Sequence, residues 1–505
     1  MQNAKAVIMQ FKIFSAAIFF GIASTFFSCK AARTTDEILQ MNISSEPDSF
    51  FPWKSASADS EALWRNIFEG LMTFDTGGKI VPCLAEKVVQ SEDGLTYTFS
   101  LRKGVQFHNG KEFTSSDAEF SYKNMAGLDG YKPTSAKLGA VKSVRTNGKY
   151  EFIVELKEPT PSFLLTTISV ILPEGYDDQE NHPVGTGPYE FVEYAQNQKL
   201  VLKKNENYWD KKKAAKIPNV EVYIITDESA TISALQSGQI DVATMISQEN
   251  SKALKGQFVE HTFPQNLVQI LGMNNMVKPF NDIRVRKAVA AAVNKKEIIE
   301  GVSGGNAIEL YSNFSPVLRE YYNDSLENEN PFDLKKAERL LAEAGYENGF
   351  DITITVPANY QYHMDTAQII AAQLAKIKIR CIINPVEWAT WLDQVYTKFN
   401  YEMTIIGFAG KIDPADVLRR YYSTYNRNFT RFYNDEFDEN FVAAQRELNH
   451  KKQVAFYKEC QKILAQESPA VFIAAPEQSY MAHSRVQGIK GYPLLFHNFA
   501  EWYFY

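Results

Sequence analysis

Histidine and cysteine are the residues here whose side chains could bind a metal ion or act as nucleophiles, and neither type is grouped. The seven histidines are scattered, and no two have the spacing that would place them on one helix face as metal ligands. No cysteine has a Cys-x-x-Cys neighbour, so neither zinc binding nor dithiol chemistry is indicated. The sequence therefore predicts no metal site and no cofactor.

Several enzyme signatures are also missing. The chain has no His-Glu-x-x-His pair, no phosphate-binding P-loop and no dinucleotide-binding fingerprint. The glycine-rich stretch from Gly185 to Tyr189 lacks the Lys-Ser/Thr pair that phosphate-binding loops use. We therefore expect a protein that binds its partner without chemistry, not an enzyme.

Length, composition and charge limit the class of protein further. The 505 residues are too many for one ordinary domain and indicate two or three. Hydrophobic residues make up 45% and charged residues 22%, which is typical of globular proteins. The formal net charge is -7, and no basic stripe is present, so no nucleic-acid partner is expected.

The first residues form a targeting segment. A positively charged start precedes the apolar run from Ile13 to Ile22, which is too short to span a membrane and is typical of a secretory signal. Cys29 follows the small residue Ser28, an arrangement that resembles the lipobox of bacterial lipoproteins. We expect a signal peptide over residues 1–28, lipidation at Cys29 and a tether over residues 29–35. The alternative is a chance cysteine within a cleaved signal.

Strand and helix patterns alternate along the rest of the chain. Apolar and polar residues alternate from Thr96 to Arg102, which predicts a half-buried strand, and Asn109-Gly110 predicts a type I′ hairpin. Thr114 and Asp117 have the spacing of a helix capping box. Residues 227–237 read as a helix between two strands, which implies a parallel pair. A second helix is predicted over residues 437–465. The fold class is therefore α/β.

A series of segments resembles the family 5 extracellular solute-binding proteins of bacterial ABC importers, the group that binds dipeptides, oligopeptides or nickel. The resemblance runs from about Ile38 to the C-terminus, and the ordered set is more specific than any one of its members. The segments are Glu69-Gly70-Leu71, Pro82 to Glu86, Asp93 to Phe99, Leu101 to Gly110, Gly185 to Tyr189, Asn205 to Trp209, Gly238 to Asp241, Pro279-Phe280 with Arg284 to Ala288, and Ala342 to Tyr346.

The resemblance implies a two-lobed periplasmic-binding-protein fold with an extra domain in the first lobe. Domain I would then be discontinuous, formed by residues 36–65, 190–265 and 478–505. Domain II, the extra domain, would cover residues 66–189. Domain III, the second ligand-binding lobe, would cover residues 266–477. The ligand is expected between domains I and III, and closure of the lobes would trap it.

The resemblance also implies the residues that line the ligand cleft. Trp388 and Tyr360 provide aromatic surface, although Trp388 fits a place in the core equally well. The residues expected to bind the ligand are Ser55, Ala56, Ser57, Ala58, Tyr360, Trp388, Gly407, Phe408, Ala409, Gly410 and Asp413.

The loop from Gly407 to Pro414 departs from the family pattern. Where peptide-binding members have an aspartate that pairs with the peptide's amino terminus, this chain has Gly410. A buried ammonium without a carboxylate partner is very costly, so recognition of a free amine is in doubt. Asp413 is expected to act as a turn or helix cap. A Gly410→Asp change is expected to raise the affinity for free-amine peptides.

The resemblance implies that the chain delivers a peptide-like solute to the permease subunits of an ABC importer. We expect a monomer that lipidated Cys29 holds at the membrane. It would be exported, and either periplasmic or on the cell surface. Alternatives remain open: an amine-free solute such as a glycan, or a surface receptor or adhesin that reuses the fold. Nickel is less favoured. The aromatic residues that could stack on a glycan are Tyr360, Tyr362, Trp388, Trp391 and Phe408.

Overall fold

The computed structural model describes residues 37–55, 57–244, 246–327 and 329–505. The expected signal peptide, Cys29 and Ala56 lie outside these residues. The strands are β1 (Ile38–Ile43), β2 (Met72–Phe74), β3 (Ile80–Pro82), β4 (Ala85–Gln90), β5 (Thr96–Leu101), β6 (Val141–Thr146), β7 (Glu151–Leu156), β8 (Tyr189–Ala195), β9 (Lys199–Lys204), β10 (Asn219–Ile224), β11 (Val242–Ala243), β12 (Val259–Pro264), β13 (Leu267–Met273), β14 (Ala307–Glu309), β15 (Phe350–Pro357), β16 (Ile379–Val386), β17 (Met403–Ala409), β18 (Ala470–Ala482), β19 (Val486–Gln487) and β20 (Tyr503–Phe504).

Helices alternate with these strands. The α-helices are α1 (Ala58–Trp64), α2 (Ser115–Ala126), α3 (Phe163–Thr166), α4 (Glu228–Ser237), α5 (Gln248–Leu254), α6 (Ile283–Ala292), α7 (Lys295–Ser303), α8 (Leu334–Glu343), α9 (Gln361–Ala375), α10 (Trp388–Trp391), α11 (Pro414–Leu418), α12 (Asp435–Arg446) and α13 (His450–Glu467). No helix in the described part of the chain is both long and apolar enough to cross a lipid bilayer.

The hydrophobic cores separate the chain into two lobes. Two clusters draw their buried residues only from positions 268–475, whereas the main clusters elsewhere use positions 39–254 and 480–502. We call residues 37–265 and 477–505 the first lobe, and residues 266–476 the second lobe. Within the first lobe, a four-stranded antiparallel sheet (β4-β5-β7-β6) has a core of its own. The expected α/β, two-lobed fold with an extra first-lobe domain is confirmed.

A long strand connects the two lobes. β18 pairs with β13 and β14 over Ala470–Pro476, and then with β12 and β11 over Glu477–Ala482. The large sheet therefore runs in the order β16-β15-β17-β13-β18-β11-β1-β10-β9-β8, with β12 and β14 also pairing with β18. The change of partners at Pro476 and Glu477 places the connection between the lobes at the same level as the turn from β12 to β13.

Local sequence signals give a mixed result. The capping box is present, because the Thr114 amide donates to Asp117 Oδ2 at 2.9 Å, and α4 ends at Gly238 with a φ of 74°. The type I′ turn is wrong: Gly110 has a φ of 83°, but Asn109 is not among the residues with positive φ. The helix predicted over residues 437–465 is two helices, because Asn449 breaks it and caps α13.

A close approach of two backbone segments joins the extra domain to the rest of the first lobe. The Gly187 amide donates to the Ile67 carbonyl at 2.8 Å, and the Tyr189 amide donates to the Asn66 carbonyl at 3.0 Å. A β-carbon at Gly187 would lie 2.4 Å from the Asn66 carbonyl oxygen, so only glycine fits. The glycine-rich stretch is thus a packing device.

The Glu69 carboxylate lies at the same place and accepts four side-chain hydrogen bonds. Its donors are Tyr208 Oη at 2.8 Å, Trp209 Nε1 at 2.8 Å, Thr186 Oγ1 at 2.9 Å and Cys83 Sγ at 3.4 Å. Burial raises the pKa of Glu69, and these hydrogen bonds oppose the rise. We call residues 66–69 and 185–189, with these donors, the junction.

Candidate functional site

Asp48 organises the first-lobe loop that was expected to meet the ligand. Its Oδ1 accepts hydrogen bonds from the hydroxyls of Ser55 at 2.8 Å and Ser60 at 2.6 Å, and its Oδ2 accepts the Ser57 amide at 3.1 Å. The Ser57 hydroxyl caps α1, which begins at the exposed residue Ala58. Both serine hydroxyls therefore hold the loop in shape. Asp48 supports this loop, and the sequence pattern did not single it out.

An exposed aromatic pair lies on the second lobe. Tyr360 is 41% exposed and Trp388 is 37% exposed, and their rings meet edge to face with centroids 5.5 Å apart. Trp388 also stacks flat on Trp391, with centroids 5.3 Å apart and an interplanar angle of 4°. Trp388 is thus held in place by the core while one part of it remains open to solvent, which suits a ligand-contacting surface.

The other aromatic residues considered for stacking are less available. Trp391 is only 1% exposed and donates from Nε1 to Thr404 Oγ1 at 2.9 Å, so it belongs to the core. Phe408 is half-buried, and the Arg420 guanidinium lies 4.0 Å from its ring centroid. The surface open to a ligand therefore centres on Tyr360 and Trp388, not on all five aromatic residues.

His363 supports the start of the loop. The Gly407 amide donates to His363 Nε2 at 3.0 Å, and the imidazole Nδ1 lies 3.1 Å from the Gln269 side-chain nitrogen. Burial lowers the pKa of His363 to about 4, so the imidazole is neutral at neutral pH and can accept this hydrogen bond. His363 is a second supporting residue that sequence reasoning missed, because a single histidine without a metal-ligand partner carries no signal.

Gly410 is in contact with Asn266 at the turn into the second lobe. The Gly410 amide donates to the Asn266 carbonyl, and a β-carbon at Gly410 would lie 1.9 Å from Asn266 Oδ1. An aspartate at position 410 therefore requires the Asn266 side chain to move. Ala409, the neighbouring residue, is exposed at the end of β17.

Asp413 begins a short helix. Its Oδ1 accepts the Ala415 amide at 2.8 Å, which makes it the N-cap of α11. Burial raises the pKa of Asp413 to about 6, and the nearby Asp416 carboxylate also raises it, while a hydrogen bond from Ser162 of the first lobe lowers it. Next to it, Ile412 is buried against Phe74 and Ile168 of the first lobe. This end of the loop therefore contacts the opposite lobe.

The second-lobe residues of the expected set lie near one another, whereas the first-lobe residues form a separate group. Tyr360 contacts both Trp388 and His363, and His363 contacts Gly407. Within the described residues, no hydrogen bond or ring contact joins Ser55 or Ser57 to the second lobe. Ala56 lies outside the described residues, so its place in the set stays a prediction.

One serine has the spacing of a hydrolase nucleophile, which the sequence analysis overlooked. Gly301-Val302-Ser303-Gly304-Gly305 matches Gly-x-Ser-x-Gly, but Ser303 is the last residue of α7 and not the turn between a strand and a helix. Its buried hydroxyl donates to the Ile299 carbonyl at 2.7 Å. This geometry gives the serine no general base and no exposed oxygen for attack.

Metal and thiol chemistry find no support in the described part of the chain. No group of three or more His, Cys, Asp or Glu side chains there could hold a metal ion. Cys83, Cys381 and Cys460 are free, and burial raises the pKa of each thiol, so none is a reactive thiolate at neutral pH.

Comparison with known proteins gives concordant matches. Residues 79–429 match the model of the bacterial extracellular solute-binding proteins, family 5. Heme-binding protein A of Haemophilus influenzae is 30% identical over 453 residues, which is 81% of this chain and 82% of that protein. Di/tripeptide-binding protein 1 of Pseudomonas aeruginosa is 29% identical over 471 residues, which is 85% of this chain and 87% of that protein.

A solved structure agrees with these relatives. The ABC transporter-associated periplasmic binding protein DppA of Helicobacter pylori, in complex with the peptide STSA, superposes with a TM-score of 0.71. It is 29% identical, and the match covers 92% of this chain and 98% of that chain. The similarity therefore extends over both lobes.

Proposed function

Because this chain belongs to family 5 of the bacterial extracellular solute-binding proteins, we propose that it captures a peptide or a peptide-like small solute between its lobes and delivers it to the permease of an ABC importer. The observation that carries the proposal is the family match over residues 79–429, which includes parts of both lobes. The relatives are solute-binding proteins and not enzymes, which fits the absence of an activated nucleophile at Ser303.

The two lobes are built for a binding cycle of opening and closing. They have separate cores and are joined by β18 and by the turn from β12 to β13, so a rigid-body rotation can occur without disrupting either core. Tyr360 and Trp388 offer a preformed aromatic surface on the second lobe. A ligand that contacts both lobes binds the closed arrangement better and therefore favours it.

The position at the membrane is part of the same proposal. Cys29 follows the signal segment and would carry the lipid anchor, which holds the monomer close to its permease at the periplasmic face or on the cell surface. Replacing Cys29 with serine should release the protein from the membrane fraction into the soluble fraction, and the Cys83→Ser variant serves as the matched control. Equal membrane retention of both variants would contradict lipidation at Cys29.

Two ligand classes fit the second-lobe surface. The first candidate is a peptide, because the similar H. pylori protein was solved in complex with the peptide STSA. A glycan or another amine-free solute is the second candidate, because exposed Tyr360 and Trp388 can stack on a sugar ring and Gly410 offers no carboxylate for a peptide amine.

Mass spectrometry of the ligand that copurifies with the full chain tests the proposal. Release by mild denaturation should yield a mixture of short peptides if the protein is a peptide binder. A single amine-free compound would instead establish the second ligand class. A protein that is empty and whose melting temperature no peptide or glycan raises would contradict solute capture, because any ligand specific to the folded state must stabilise it.

Titration with a defined peptide pair then decides the role of the amine. Ser-Thr-Ser-Ala and its N-acetylated form should bind equally if the amine is not recognised, and unequally if it is. The Gly410→Asp/Asn266→Ala double variant removes the contact with Asn266 and should raise the affinity for the free-amine form alone. The Asn266→Ala single variant is the control for loss of the asparagine.

A further inference from the structure

The loop from Gly407 to Pro414 ends at a cavity of about 310 Å³ that lies between the two lobes. Asp413 and Pro414 form part of its wall, and neither Tyr360 nor Trp388 does. The wall includes Ile80, Ser162, Leu164 and Leu165 of the first lobe and Tyr321 and Tyr457 of the second lobe.

Two buried tyrosines in the cavity wall have free hydroxyl groups. Tyr457 is 1% exposed and Tyr321 is 9% exposed, and neither hydroxyl forms a hydrogen bond with any residue that the structure describes. Their rings meet edge to face with centroids 5.9 Å apart. Both tyrosines line the cavity, so their hydroxyl groups are available to an occupant of the cavity.

Asp413 places a carboxyl group beside these hydroxyls. Asp413 and Tyr457 line the same cavity, and the Asp413 carboxylate adds to burial in raising the pKa of Tyr457. The Asp413 carboxyl is bonded through Oδ1 to the Ala415 amide and is close to Ser162, both of which are neutral donors.

The positive charges around the cavity do not neutralise Asp413. Two of these groups contact other carboxylates: His450 Nε2 lies 2.8 Å from Glu320 Oε1, and Arg419 Nη2 lies 3.1 Å from Asp416 Oδ1. Lys79 is exposed and makes no ion pair with a carboxylate of the described residues. Within the described residues, Asp413 therefore has no cationic partner at ion-pair distance, although the positive charge of Arg419 lowers its pKa.

We propose that this cavity is a second binding site, which takes a small organic ammonium ion between the two lobes. The Asp413 carboxylate supplies the countercharge, and the hydroxyl oxygens of Tyr321 and Tyr457 accept its remaining N–H groups. The aromatic faces of the two tyrosines favour the same charge through cation–π attraction. Leu164, Leu165 and Ile80 provide the apolar surface for an alkyl portion.

Binding at this site connects the lobes. Ser162 belongs to the first lobe, whereas Asp413 and the tyrosines belong to the second, so an occupant touches both. It stabilises the present arrangement of the lobes relative to any other and thereby shifts the opening and closing equilibrium. The site needs no assumption about the solute bound near Trp388.

Calorimetric titration of the full chain with n-butylammonium chloride tests the proposal. The expected dissociation constant is on the order of 1 mM for so small a ligand. n-Butanol, which has the same alkyl chain without the charge, should show no measurable binding. The Asp413→Asn variant retains a good helix cap and should weaken binding at least about fivefold. Asp435→Asn, an exposed carboxylate of the second lobe outside the cavity wall, should bind as the wild type does.

A second variant tests the hydroxyl groups of the cavity independently of Asp413. Tyr457→Phe keeps the ring and removes the hydroxyl, and should weaken n-butylammonium binding about threefold or more. Equal binding of n-butanol would mean an apolar cavity only and would overturn the proposal. Binding that survives both Asp413→Asn and Tyr457→Phe, or the absence of binding to the wild type, would overturn it as well.

Discussion

The junction and the end of the loop at Asp413 both take a carboxyl group out of water, but they treat it differently. At the junction, Glu69 receives four side-chain hydrogen bonds from residues that are fixed by packing. At the loop, Asp413 receives the Ala415 amide and the Ser162 hydroxyl and faces a cavity. Burial raises the pKa of both carboxyl groups.

This difference indicates that the junction is part of the scaffold and that the loop end at Asp413 can serve as a binding site. A buried polar group whose partners are all internal rigidifies the fold and leaves nothing to offer a ligand. A buried carboxyl group with neutral donors and an adjacent cavity retains capacity for a charged partner. The same distinction applies to the aromatic residues. Trp391 is buried in the core, whereas Trp388 stacks on Trp391 and remains partly exposed to solvent.

Removing the junction carboxylate should have the largest effect on stability. Glu69→Ala leaves the buried donors of Tyr208, Trp209 and Thr186 without an acceptor and should lower the free energy of unfolding by about 3 kcal/mol. Urea denaturation measures it. Glu69→Gln keeps one acceptor oxygen and should lose less. A loss below about 1 kcal/mol for Glu69→Ala would show that water replaces the carboxylate and that the junction is not a rigid network.

A β-carbon at the junction should be the next most harmful change. In Gly187→Ala the new atom would meet the Asn66 carbonyl oxygen and the Ile67 backbone, which cannot move aside as a side chain can. We expect a loss of about 2 kcal/mol, measured by thermal unfolding. Gly148→Ala is the control and should cost less. Its φ of 69° disfavours alanine, but no atom lies within 4 Å of the added β-carbon. An equal loss in both variants would mean that the close contact with the Asn66 and Ile67 backbone costs no more than an ordinary glycine replacement.

Neutralising Asp413 should change stability in the opposite direction, and only above the acidic range. The folded-state pKa of about 6 exceeds the ordinary 3.8, so the folded protein holds this proton more tightly than the unfolded chain. Ionisation therefore costs stability as the pH rises from about 4 to about 6, and the cost persists above that. Asp413→Asn should be about 1 kcal/mol more stable than wild type at pH 7.5, and the gain should vanish near pH 4. A gain that does not depend on pH would contradict this account.

Truncating Trp388, one member of the exposed aromatic pair, should affect ligand binding more than stability. Trp388→Ala should cost about 1 kcal/mol of stability, because part of the ring is already in water. It should weaken the affinity for Ser-Thr-Ser-Ala, or for the copurified ligand, by about tenfold or more in calorimetric titration. Tyr433→Ala, another exposed aromatic residue of the second lobe, provides the control. An unchanged affinity of the Trp388→Ala variant would show that Trp388 does not contact the ligand.

Much of the fold could be predicted because its signals are local. The Thr114–Asp117 capping box and the Gly238 helix end depend on residues a few positions apart, and the structure contains both. The errors also have local causes. Asn109-Gly110 favours a two-residue turn, but the flanking pairing of Gln106 with Glu112 leaves room for a longer one. Residues 447–449 separate two helices. The prediction of one continuous helix missed that Asn449 caps the second of them.

The candidate site was harder to predict, because each of its supports joins distant positions. The sequence pattern did not single out Asp48, yet its carboxylate bonds to Ser55, Ser57 and Ser60. His363 supports Gly407 from 44 positions away. Nothing in the spacing of these residues along the chain indicates that they meet.

The sequence by itself determined the fold class, the family and the loop that lacks the usual carboxylate, since periodicity, turn residues and ordered motifs are all written along the chain. Only the tertiary structure decided which tryptophan is open and which is core, that the Asn266 side chain occupies the space beside Gly410, and that Asp413 faces a cavity shared by both lobes. The physical reason is that burial and electrostatic partnership depend on which distant segments pack together, and residue types alone do not specify that packing.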